Sequence, residues 1–97
     1  MRFVRLTIQG RVQGVGFRAF VEDEAYARRL EGWVRNRRDG AVEAVVAGDE
    51  RLIDEMIEAC RRGPSVAHVD RVDVEEVDAR ELGKRAPGER FSVIQTA

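Results

Sequence analysis

A chain of 97 residues, 43% of them apolar, suffices for one two-layer core and leaves no second lobe to close over a substrate. Single copies of cysteine, histidine and lysine (Cys60, His68 and Lys84) provide no material for an internal disulfide, a Cys- or His-rich metal site or a Ser-His-Asp relay. The net charge of −1 hides an asymmetry: residues 1–38 carry nine Arg against four acids, and residues 39–97 carry eight basic against fourteen acidic side chains. That balance favours attraction of a small anion to the N-terminal half over general nucleic-acid binding, which wants a basic face across the whole domain.

The chain begins directly in a strand pattern, without an apolar signal-peptide core, and no apolar run approaches the length of a membrane span. The expectation is a single soluble domain over residues 1–97, cytoplasmic and monomeric. Val4, Leu6 and Ile8 alternate with Arg5 and Thr7 in a first strand over 3–9. Phe17, Phe20, Val21, Ala27 and Leu30 fall at helical spacings, which predicts a helix over 18–30. Its early acids suit the positive end of the helix dipole and its late arginines the negative end.

Gly32 to Arg37 reads as a second strand, and Asp39-Gly40 supplies the positive φ values of a tight hairpin before the return strand Val42, Ala44, Val46, ending near Gly48. Leu52, Ile53, Met56, Ile57 and Cys60 mark a second helix over 50–62, stopped by Gly63-Pro64, with Cys60 as a small core residue. Val69, Val72, Val74 and Val77 suggest a half-exposed strand bulged near Glu75 and Glu76, where the alternation slips. Residues 79–90 read as a mobile surface loop, and Phe91 and Val93 as a short last strand. His68 reads as a surface or satisfied histidine and Trp33 as a core or half-buried strand residue.

The order β, α, β, β, α, β, with a short extra C-terminal strand, implies an α+β ferredoxin-like sandwich: an antiparallel sheet with two helices on one face. Its first strand then lies inside the sheet beside the hairpin, which brings the start of the first helix near Asn36.

The most informative stretch is Gly10-Arg11-Val12-Gln13-Gly14-Val15-Gly16-Phe17-Arg18, with three glycines and two arginines in nine residues at a strand-to-helix junction. It has the makings of an anion cradle. Gly14 and Gly16 let successive N–H groups turn toward one point, and the following helix adds unpaired amides and the positive end of its dipole. Arg18, in the first helical turn, adds a planar fork matched to two oxyanion atoms. Arg11 contributes only to the local field. Gly14 to Ala19 also fits a dinucleotide fingerprint, but the hairpin that follows and the short chain leave no room for repeated parallel βαβ units. The Walker pattern fails because no Gly-Lys-Ser/Thr follows. A tight glycine-rich connection without any ligand remains open on the loop alone.

Ile8 to Arg18 resembles the first signature of the acylphosphatase family across its length. Gly32-Trp33-Val34-Arg35-Asn36, followed by Gly40, Val42 and Gly48, resembles the second with its spacing kept. Arg29 departs from the pattern, because many relatives carry glycine near the helix end; this touches helix termination and not chemistry. The resemblance implies metal-free hydrolysis of the carboxyl-phosphate bond of small acyl phosphates, without a cofactor. It makes Arg18 and Asn36 the catalytic residues, with Gln13, Gly14, Val15, Gly16, Phe17 and Arg18 binding the phosphoryl group and Asn36 orienting the attacking water. Two alternatives stand beside it: a non-catalytic anion or RNA binding module of the same fold, and a carbamoyl-phosphate hydrolysing module of the kind found in larger maturation proteins.

Overall fold

Period-two alternation in the first strand sets the two faces of the molecule. In the computed structural model, which describes residues 1–97, strand β1 (Arg2–Arg11) buries Val4, Leu6 and Ile8 completely on one face. Onto that face pack helices α1 (Phe17–Ala27) and α2 (Glu50–Arg62), through Phe17, Val21 and Ala25 from the first and Ile53, Met56, Ile57 and Cys60 from the second. Burial pushes the Cys60 thiol up to about 12, so it behaves as a small apolar core group. Strands β2 (Glu31–Asn36), β3 (Val42–Gly48), β4 (His68–Glu76) and β5 (Phe91–Val93) complete a sheet of order β4-β1-β3-β2-β5. This is the ferredoxin-like α+β arrangement, with both helices on one face. No helix is long and apolar enough to cross a membrane.

Neighbouring strands from β4 through β1 and β3 to β2 are antiparallel, but β5 runs parallel to β2, with Gly32, Trp33 and Val34 opposite Phe91, Ser92 and Val93, so the sheet is mixed. The cause lies in the connection. Strands β4 and β5 form opposite edges, so residues 77–90 must cross the face away from the helices. They do so as packed structure and not as the expected loose loop: a 3-10 helix over Ala79–Lys84 covers Trp33, whose Nε1 donates to the Glu81 carbonyl at 2.6 Å. Trp33 is fully buried and offers no stacking face. Beside it Glu43, only 5% exposed, meets Arg35 Nε at 2.8 Å and Arg5 Nε at 3.0 Å, and Arg5 also reaches Glu81 at 2.7 Å.

Three local expectations change. The hairpin turn has positive φ only at Gly40 (98°), with the Gly40 amide donating to the Arg37 carbonyl and Asp39 Oδ1 accepting from the Ala41 amide. One left-handed residue after a turn gives a longer hairpin neck than two adjacent ones. The bulge lies at Asp70 and not at Glu75 and Glu76: Gln9 faces Arg71 while Gly10 faces Val69, and Arg5 and Val4 pair regularly with Glu75 and Glu76. Of the two slips in the valine spacing, the first is the bulge and the second is the strand end.

Helix α1 stops at Ala27, three residues short of the predicted end. The Leu30 amide donates to the Ala25 carbonyl and the Arg29 amide to that of Tyr26, the paired bonds of a Schellman stop, and Arg29 takes the left-handed position at φ 55°. Arg29→Gly is therefore expected to stabilise the fold by about 0.5–1 kcal/mol, the relieved left-handed strain less the greater freedom of glycine in the unfolded chain. A higher urea midpoint at unchanged slope is the measurement that checks it.

Candidate active site

The cradle forms because β1 ends before the helix layer begins, leaving residues 12–16 to turn the chain upward. Gly14 and Gly16 both take left-handed conformations, φ 74° and 79°, and a Cβ at either would meet no protein atom within 4 Å. Backbone conformation, and not crowding inside the protein, thus requires glycine there. Gly16 caps α1 without any side-chain bond, and no acidic residue sits in the first turn. The acids that suit a helix start by sequence fall one turn later, and Arg28 is the C-cap residue while Arg29 lies beyond it, so the positive end of α1 is not neutralised from within. No main-chain carbonyl accepts from the amides of residues 13–19. Successive unpaired N–H groups at a helix start are an anion site in waiting.

Asn36 is the last residue of β2. Strand alternation places it on the same face as Gly32 and Val34, the helix face, which turns it toward the start of α1. Its own backbone is gripped from the far edge, where the Ala97 amide donates to its carbonyl at 3.1 Å. Asn36 and Arg18 line one cleft of about 350 Å³ together with Gly14, Gly16, Phe17, Val12, Ala19, Glu22 and Val93. Arg18 is exposed, and no carboxylate lies within ion-pair distance of its guanidinium. Five donors on that side chain therefore remain for a ligand.

The other predicted residues divide. Phe17 contributes its main chain, since its ring is buried and packs edge-on against Phe20 at 5.6 Å between centroids. Val15 packs its side chain against the core. Gln13 is turned away from the cleft: its Nε2 donates to the carbonyls of Arg37 and Ala41, at 2.7 and 2.9 Å. Arg11 ends β1 exposed, and His68 lies at the surface with Nε2 3.1 Å from Asp70.

Four lining residues, Val12, Ala19, Glu22 and Val93, lie outside the site residues expected from the sequence; the first two flank the cradle in the chain, and the other two differ in kind. Glu22 follows Arg18 by four residues, a helical spacing that could have revealed it. Val93 depends on the pairing of β5 with β2, for which no local signal exists. Glu22 is the one carboxylate in the cleft and opposes an anion there. Glu22→Gln should tighten inhibition by inorganic phosphate about 2- to 5-fold at low ionic strength, and the gain should shrink as salt is added.

A family model for acylphosphatase matches residues 4–91. An acylphosphatase of Rhodopseudomonas palustris (strain BisB5) is 56% identical over 92 residues, covering 95% of this chain and 93% of that one. The crystal structure of acylphosphatase from Bacillus subtilis is similar at a TM-score of 0.83 and 40% identity, over 97% of this chain and 99% of that one. Full-length HypF in its phosphate- and nucleotide-bound form is similar over 98% of this chain but only 12% of its own, with a TM-score of 0.83 and 29% identity. Both marked stretches lie inside the matched region, and the Rhodopseudomonas and Bacillus acylphosphatases align over nearly their whole lengths, so the chain belongs to the acylphosphatase family.

Proposed function

We propose that this chain is an acylphosphatase in which Arg18 and the amides of residues 13–18 bind the phosphoryl group and Asn36 orients the attacking water. The observation that carries this is the shared cleft: the unpaired Arg18 guanidinium, Gly14, Gly16 and Phe17 of the stretch with unpaired amides, and Asn36 line one space.

The chemistry suits those groups. Water attacks phosphorus in line, the bond to the carboxylate oxygen breaks, and the carboxylate leaves with both electrons of that bond. Its conjugate acid has a pKa of about 4 to 5, by analogy with side-chain carboxyls, so departure needs no general acid. What remains is to offset charge on the phosphoryl oxygens and to hold the water, tasks for fixed dipoles and one guanidinium. Asn36 accepts a hydrogen bond from water without setting a second negative charge beside the phosphate. The water's proton passes to a phosphoryl oxygen. With Glu22 the one carboxylate lining the cleft, no metal is assigned a role.

The substrate is a small acyl phosphate and the products are a carboxylate and inorganic phosphate. The chain works as a single cytoplasmic domain, a monomer without a membrane or nucleic-acid partner. A hydrolysis panel of acetyl, benzoyl, carbamoyl and bisphosphoglycerate mixed anhydrides, with p-nitrophenyl phosphate as ester control, tests the class. Turnover of the anhydrides far above the ester, unchanged by EDTA, is expected. Equal turnover of the ester, or loss of activity on chelation, would overturn it.

A further inference from the structure

We propose that Gln13 is a positioning residue whose side chain sets the separation between the phosphate cradle and Asn36. This role rests on the assignment of Asn36 to the attacking water. The topology creates the need for such a brace. Strand β1 leads into the cradle and β2 ends at Asn36, but β3 lies between them in the sheet. The last rung joining β1 to β3 is Ile8 opposite Val42; beyond it β1 pairs only with β4. No main-chain hydrogen bond joins residues 12–16 to residues 36–41. The two halves of the cleft are thus carried on backbones that no main-chain ladder joins where they approach it.

The Gln13 side chain spans that gap. Its Nε2 meets the carbonyls of Arg37 at 2.7 Å and Ala41 at 2.9 Å, the residue directly after Asn36 and the one directly before β3. Those two residues already close the hairpin neck, where the Arg37 amide donates to the Ala41 carbonyl at 2.8 Å. Both amide protons of Gln13 are spent on these two acceptors. Only the NH2 end of the side chain can face two carbonyl oxygens, so its orientation is determined. A carboxylate there would oppose both carbonyls, and Asn is one methylene too short. On the other side of the same neck, the Ala97 amide holds the Asn36 carbonyl and the Arg38 amide donates to the Ala97 carbonyl. The backbone that presents Asn36 is clamped between the two.

A displacement of about 1 Å between a bound phosphoryl group and its aligned water is enough to cost about 10²-fold in rate, whereas a cradle made of local amides still grips phosphate when the hairpin shifts. Gln13→Met keeps the length and removes both donors. It is expected to lower kcat for acetyl phosphate about 10- to 10²-fold while inhibition by inorganic phosphate changes less than about 3-fold. Retained phosphate inhibition also shows that the variant is folded.

The deciding measurement is a cycle with Asn36→Ala. If Gln13 acts through Asn36, Gln13→Met has less than about a 3-fold further effect on kcat in the Asn36→Ala background. Equal losses in both backgrounds would overturn the role, as would phosphate inhibition weakened in step with kcat, which would make Gln13 part of the cradle itself. An Asn36→Ala enzyme with undiminished kcat would instead overturn the assignment of Asn36, and this role with it.

Discussion

Arg18→Ala is expected to reduce turnover of acetyl phosphate by at least about 10² to 10³, the loss associated with one donor to a developing oxyanion, and further because a full charge goes with it. Nothing in the protein can replace it. Arg11 is exposed at the end of β1 and does not line the cleft, and the amides of the cradle carry only partial charge. The helix dipole contributes a fixed fraction of a charge that cannot follow the reaction. Phosphate inhibition should weaken in the same variant, since the guanidinium holds the bound phosphoryl group in the ground state and holds it more strongly in the transition state. Arg18→Lys should recover part of the binding and less of the turnover, because an ammonium supplies charge without the planar fork. Hydrolysis at the wild-type rate by the alanine variant would end the assignment.

Asn36→Ala should lower kcat by about 10² or more while phosphate inhibition stays within a few-fold of wild type, the pattern of a contact made chiefly in the transition state. The packing cost is small, because the side chain faces the cleft and not the core, and the β2–β3 ladder through Val42 does not depend on it. Asn36→Asp is the sharper variant. It keeps an acceptor for water but brings a negative charge to a cleft that already holds Glu22, so phosphate inhibition should weaken as well, most at low ionic strength. If the alanine variant lost phosphate inhibition together with turnover, Asn36 would belong to binding and not to water.

How legible each part was depended on the range of the interactions behind it. Helix α2 was read to the residue because its start and stop are local: Asp49 accepts from the Arg51 amide and Gly63 ends the run. The end of α1 was missed by three residues because Leu30 keeps the apolar period while the Schellman bonds of Arg29 and Leu30 have already closed the helix. The valine slip in β4 was visible but its place was not, since a bulge is defined by the partner strand, here Gln9 and Gly10. Residues 79–90 read as loose because nothing in their own order says that Trp33 lies beneath them.

Two short motifs, written in backbone preferences and side-chain chemistry, marked from the sequence alone the groups we propose for meeting an anion: left-handed glycines, an arginine in the first turn of a helix, an asparagine at a strand end. Tertiary structure alone decided how those groups face one another, that Val93 shares their cleft, and that the Gln13 side chain turns to the hairpin. Conformational preference belongs to a residue and its neighbours, whereas a cleft between a loop and a strand end exists only once β3 has been inserted between β1 and β2.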